Sequence, residues 1–164
     1  TLHTNDAPSA ITRLIDMGVK PFLVASSVQA IMAQRLVRVI CAECKKPTTD
    51  LDERVLRLLG FRPEAIEDTT FYRGEGCSVC GNTGYRGRIG IFEMLELNNT
   101  IRELAFNRAP LSEVRAAARA SGMKTLLEDG RDKIRNGVTT PEELVRISQT
   151  TELIEEVEAE AANA

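Results

Sequence analysis

All four cysteines of this 164-residue chain sit in two pairs of one spacing, Cys41-Ala-Glu-Cys44 and Cys77-Ser-Val-Cys80. A Cys-x-x-Cys turn aims two sulfurs at one point, while neighbouring backbone N–H groups help to carry the thiolate charge. Two such turns can place four sulfurs at ~2.3 Å around one zinc ion. The 32 residues between Cys44 and Cys77 exceed the roughly 15–20 of a compact zinc ribbon, which leaves room for a helix between the pairs. Three other chemistries use the same ligands. A redox dithiol needs only one pair, at the start of a helix that lowers a thiol pKa. Structural disulfides require an oxidising compartment, and iron–sulfur clusters usually have a different spacing. The pattern favours structural zinc, with Cys41, Cys44, Cys77 and Cys80 as ligands. Four protein ligands leave no open position, so such an ion holds the fold and catalyses nothing.

Other reactive residues are few. His3 is the only histidine. It stands between threonines at what reads as the carboxyl end of a strand, just before a helix cap, where ligands collect in open α/β sheets. An ordinary surface histidine fits the same pattern. Arg86 and Arg88 flank Gly87 in "GYRGRIG", where guanidinium forks could meet phosphate oxygens or simply face water. Arg35 and Arg38 alternate along a strand and read as solvated. No phosphate-binding loop of the form G-x-x-x-x-G-K-[ST] is present: the one Lys-Thr pair, Lys124-Thr125, follows Met123 and lacks both glycines. No dinucleotide fingerprint or hydrolase elbow occurs either. The segment by itself therefore contains no complete active site. Nucleic acid is disfavoured as a partner, since the net charge is -3 and residues 41–95 carry eight basic and nine acidic side chains.

The elements that must position these residues follow from local pattern. Asn5 or Asp6 can cap a helix with Pro8 in its first turn and Gly18 at its close. From Pro21, "FLVASSVQAIMA" reads as a second helix, apolar around most of its circumference and so buried. "RLVRVI", residues 35–40, reads as a strand running into Cys41. Between the cysteine pairs a helix at 51–59 is expected, with Asp50 as cap and Gly60 as terminator, and "TTFYR" as a strand. "RIGIFEMLEL", residues 88–97, reads as a strand that could rejoin the first elements. Helices follow at 100–107, 111–121 and 125–136. A fourth is capped by Thr140, with Pro141 at its first position and Glu143 completing a capping box. Residues 151–164 hold five glutamates and no base, an acidic tail expected to fray. The chain has no initiator methionine and reads as the C-terminal part of something longer.

"TLHTNDAPSAITRLIDMGV", then "AQRLVR" running into Cys-x-x-Cys, then a second Cys-x-x-Cys with "GYRGRIGIFEML", together resemble the C-terminal part of the bacterial secretion ATPases. These drive type II secretion and type IV pilus assembly. The resemblance runs from Thr1 to about Ile147, and the order of its three motifs makes it specific. It implies an α/β fold: the C-terminal end of a RecA-like ATPase core with a tetracysteine zinc subdomain inserted, then an α-helical region. The implied division is residues 1–40 as the end of the core, 41–84 as the zinc subdomain, 85–97 as the returning strand and 98–164 as the helical region with its acidic tail. His3 would belong to a histidine box that senses the terminal phosphate or orients the attacking water. Arg88 would reach toward nucleotide phosphates. ATP and Mg2+ would be cofactors of the complete parent, whose phosphate-binding loop and Walker B carboxylate lie upstream of Thr1. The resemblance further implies a homo-hexamer, cytoplasmic and peripheral at the inner membrane, acting on a membrane platform protein. A non-enzymatic zinc-stapled interaction module is the other reading that the residues allow.

Overall fold

The computed structural model describes residues 2–148 as a mixture of helices and strands. The acidic tail at 151–164 lies outside the described residues. The described residues divide into two compact units, one made of 2–34 and 92–126, the other of 35–91 and 127–148. Two long strands, β1 (Ala30–Ile40) and β4 (Tyr85–Glu96), pair with each other and belong in part to each unit.

In the first unit, α1 (Ala7–Asp16) starts where Asp6, itself extended, accepts the Ser9 N–H on Oδ1 at 2.9 Å. Pro8 in the first turn loses no helical hydrogen bond. Its buried side is Ala7, Ala10 and Ile11. The expected second helix is shorter than its apolar pattern implied. Helix α2 (Pro21–Ser27) ends because Val28 is extended, and β1 begins at Ala30 rather than Arg35. Pairing decides this: Leu97 N–H donates to the Gln29 carbonyl at 3.0 Å, and a strand partner outweighs local helix propensity. Helix α2 is not buried all round either, since Phe22 and Leu23 are 50% and 44% exposed and only Val24 and Ala25 are buried.

Residues 2–4 form no strand, which corrects the reading of "TLHT"; a strand needs a hydrogen-bonded neighbour, and among the described residues none pairs there. Helices α5 (Asn99–Phe106) and α6 (Leu111–Ala120) complete the unit. Ile11, Val24, Leu95, Ile101 and Val114 form its core.

In the second unit, β2 (Lys45–Thr48) pairs antiparallel with β3 (Phe71–Gly74), placing Lys45 opposite Gly74 and Thr48 opposite Phe71. Between them lie α3 (Glu53–Leu58) and α4 (Pro63–Glu67). The cap of α3 is Asp52 rather than Asp50, with Oδ1 accepting the Arg54 N–H at 2.9 Å. Gly60 stops the helix in a left-handed conformation, φ +75°. Phe61 and Phe71 meet edge to face at 5.5 Å. Helices α7 (Leu126–Arg135) and α8 (Pro141–Ser148) pack so closely that a Cβ at Gly130 would lie 2.4 Å from Leu144 Cδ1. The helices after Asn98 are thus divided: α5 and α6 lie in the first unit, and α8 with nearly all of α7 lies in the second.

Strand β1 and helix α8 are joined by a buried carboxylate. Glu143, 1% exposed, accepts the Arg38 backbone N–H at 2.9 Å and Arg38 Nη2 at 2.5 Å. It also accepts Arg146 Nε at 2.7 Å and Nη2 at 3.1 Å. The Thr140 cap is present, with Oγ1 accepting the Glu143 N–H at 3.4 Å, but the Glu143 side chain turns to the arginines instead of closing a capping box. Arg38 is correspondingly not the solvated residue its strand position suggested: its guanidinium also stacks 4.2 Å above the Tyr85 ring, whose hydroxyl lies 2.8 Å from Thr140 Oγ1.

Burial by itself pushes the Glu143 carboxyl up, but Arg146 and Arg38 outweigh it and hold it at about 2, against an ordinary 4.5. Its folded pKa is depressed, so its stabilisation is complete above pH 4.5 and is lost as the pH falls toward 2. Glu143→Gln is expected to cost about 3 kcal/mol in urea unfolding at pH 7. It should also flatten the fall of the melting temperature with acid in that window.

Candidate metal centre and the other site residues

Each Cys-x-x-Cys forms a single turn of 3-10 helix, Ala42–Cys44 and Ser78–Cys80, closed by the hydrogen bonds Cys44 N to Cys41 O and Cys80 N to Cys77 O, both 3.3 Å. Strand pairing brings the two turns together. On one side, Cys41 N–H donates to the Gly84 carbonyl at 2.9 Å, where β1 ends and β4 is about to begin. On the other, the β2–β3 register carries the chain back to its starting point, and Glu75 N–H donates to the Cys44 carbonyl at 3.1 Å. The 32-residue excursion from Cys44 to Cys77 is thereby closed at its base.

The four sulfurs all lie within 4.8 Å of one another. Cys41 and Cys77 are 3.9 Å apart, Cys44 and Cys80 3.9 Å, and Cys77 and Cys80 3.7 Å. A disulfide requires about 2.05 Å, and all four cysteines are free. A tetrahedral ion with metal–sulfur bonds of ~2.3 Å sets its ligands ~3.8 Å apart. The observed spacings agree with that, so Cys41, Cys44, Cys77 and Cys80 can hold one metal ion.

Backbone N–H groups are aimed at these sulfurs. Cys80 Sγ accepts from Cys77 N at 3.2 Å and from Gly84 N at 3.3 Å. Burial opposes ionisation there, but these two N–H groups, with the Cys77 and Cys44 thiols, bring the Cys80 thiol down to about 6. Burial instead pushes Cys44 up to about 12, against a hydrogen bond from the Gly76 backbone. Metal-free, the cluster thus ionises unevenly; a divalent ion supplies the charge needed to deprotonate the rest.

Gly84 is fixed by space as well as by conformation, at φ +75°. A Cβ on it would stand 2.4 Å from the Gly74 carbonyl oxygen, and one on Gly74 would stand 2.0 Å from the Gly84 oxygen. Two backbones touch there, and only glycine permits it.

The other candidates are not among the four ligands of this cluster. His3 belongs to the first unit, is exposed, and makes no hydrogen bond or ion pair with another described residue. Arg88 is exposed on β4 in the same unit as the cysteines. Three contributors were not foreseen: Gly76 at Cys44, the Gly74–Gly84 contact, and Glu93. A signal existed for the last, because Glu93 has the strand parity of the buried Ile91 and Leu95.

A family model described as "Type II/IV secretion system protein" matches residues 1–154. The chain belongs to this family. It is 46% identical over 149 residues to the type II secretion system protein E of Pseudomonas aeruginosa, covering 91% of this chain and 29% of that protein. It is 43% identical over 145 residues to the type IV pilus assembly ATPase PilB of Myxococcus xanthus, covering 88% of this chain and 26% of that protein. A third relative, the type II secretion system ATPase E of Vibrio cholerae, is 41% identical over 150 residues, 91% of this chain and 29% of the relative. The chain therefore spans a little over a quarter of the length of these secretion and pilus proteins. No helix among its described residues is long and apolar enough to cross a membrane.

Cys80→Ser removes the sulfur that accepts the Cys77 and Gly84 backbone N–H groups. It is expected to abolish stoichiometric metal retention after gel filtration. Amide exchange should then accelerate across β2 and β3 at least 10-fold, because the hairpin and its short helices bury little on their own.

Proposed function

We propose that this chain is the C-terminal part of a hexameric ATPase that powers type IV pilus assembly or type II protein secretion. What carries the reading is the match of the family model over residues 1–154, with relatives above 40% identity that are themselves described as secretion or pilus ATPases. On this reading the first unit, with β1, closes a RecA-like ATPase core, and the division at 1–40, 41–84, 85–97 and 98–164 describes the parent's organisation. The tetracysteine ion is structural Zn2+, an assignment supported by four thiolate ligands at tetrahedral spacing. ATP and Mg2+ bind in the complete parent, whose phosphate-binding loop and Walker B carboxylate lie outside this chain. The hexamer works in the cytoplasm at the inner membrane, against a platform protein, and nucleic acid is not a partner.

Two residues of this chain would serve the reaction. Arg88 neutralises charge on the nucleotide phosphates, for which its exposed guanidinium is free to turn. His3 senses the terminal phosphate or orients the attacking water. The chain alone lacks the phosphate-binding loop, so its own contribution is these two side chains and the metal-stapled unit.

In the full-length parent, His3→Ala and Arg88→Ala are each expected to lower kcat for ATP hydrolysis by about 10–1,000-fold. Arg88→Ala should also weaken nucleotide binding. Elemental analysis should return one zinc per chain. A parent that binds no nucleotide would replace this reading with that of a zinc-stapled interaction module.

A further inference from the structure

Glu93 is a carboxylate 3% exposed, set on the inward face of β4 between Ile91 and Leu95. A lone charge in that position is costly unless the surroundings answer it, and here two helix starts do. Its Oε1 accepts the N–H of Ala7, the first residue of α1, at 2.7 Å. Its Oε2 accepts the N–H of Leu126, the first residue of α7, at 3.3 Å. Both are amides that a helix leaves without an internal partner, at the positive end of its dipole. One side chain therefore fixes where two helices begin.

The first of those helices follows His3 directly. Only Thr4, Asn5 and Asp6 separate His3 from Ala7, and residues 2–4 have no regular structure to hold them. Asp6 is held in turn: Oδ1 accepts Ser9 N at 2.9 Å, and Oδ2 meets Arg115 Nη2 at 2.7 Å and Nε at 2.8 Å. The exposed histidine thus stands on a short segment whose inner end is pinned by two carboxylates, of which Glu93 is the buried one. We propose that Glu93 is a positioning residue for His3, its carboxylate tying the first amide of α1 to the first amide of α7 and so fixing the segment from which His3 projects.

This proposal rests on the reading of His3 as a participant in ATP hydrolysis. Burial pushes the Glu93 carboxyl up and Asp6 adds to this, while the Ala7 and Leu126 amides and Arg115 pull the other way. The two amides are thus what the carboxylate has in place of water. A glutamine in the same place has one acceptor oxygen and turns an NH2 toward the second amide, so one helix start loses its partner. A displacement of about 1 Å at a reacting group costs on the order of 100-fold in rate.

The test is a double-mutant cycle in the full-length parent hexamer: Glu93→Gln, His3→Ala and the two together. Glu93→Gln is expected to lower kcat about 10–100-fold with the KM for ATP changed less than about 3-fold. Metal content and ring assembly should stay as in the parent. In the His3→Ala background, Glu93→Gln should cost nothing further, because it acts through the residue already removed. Multiplying losses would overturn the proposal and leave Glu93 as a structural cap only. If His3→Ala alone leaves kcat unchanged, the reading of His3 itself has failed, and the proposal falls with it; that arm carries no change at Glu93, so the two failures are told apart. Should Glu93→Gln not assemble, Glu93→Asp, one methylene shorter with its charge retained, takes its place in the same cycle and is judged by the same criterion.

Discussion

Four sulfurs converge where two pairs of strands end, and the second unit is organised around that meeting. β1 and β4 reach it from one side through the Cys41–Gly84 hydrogen bond, and β2 and β3 leave it on the other through Cys44–Glu75. The backbones there approach as closely as Gly74 and Gly84 allow. Metal–thiolate bonds at this point would cross-link the two strand pairs, a constraint that the packing of Leu56, Leu59, Ile91 and Ile134 does not itself supply. An ion held by all four cysteines would have its coordination positions filled by protein, and its role would be to hold the two strand pairs and the "GYRGR" segment in place.

The rest of the scaffold is set by two buried carboxylates with unlike partners. Glu143 faces two arginines and is held strongly acidic, so it behaves as a fixed charge that joins β1 to α8. Glu93 faces mainly backbone amides and has its pKa raised. The difference follows from what each can recruit: a guanidinium fork returns a full charge, whereas each of two helix starts returns only a partial one. One carboxylate secures the unit that carries the four cysteines, the other the unit that carries His3.

Much of this was legible in the residues, and the gaps have physical causes. The Cys-x-x-Cys spacings place their ligands by local turn geometry, which sequence encodes directly. Asp6, Pro8 and Thr140 mark helix starts for the same reason. The early start of β1 could not be read, because Ala30 to Gln34 carry no strand signal and become strand only through pairing with β4. Arg38 and Glu143 are 105 positions apart, so the local setting of each points elsewhere, to a solvated strand residue for one and a capping-box residue for the other. Short elements such as β2 and α4 are defined by what they close against, not by propensity. Glu93 is the exception, since its parity with Ile91 and Leu95 was visible and pointed inward.

The central claim is that all four cysteines bind one ion together. X-ray absorption at the zinc edge of the purified full-length protein tests it most directly. The account predicts a single shell of four sulfur scatterers at about 2.3 Å. A shell containing nitrogen or oxygen ligands, or a metal-free protein with its cysteines in disulfides, would contradict it.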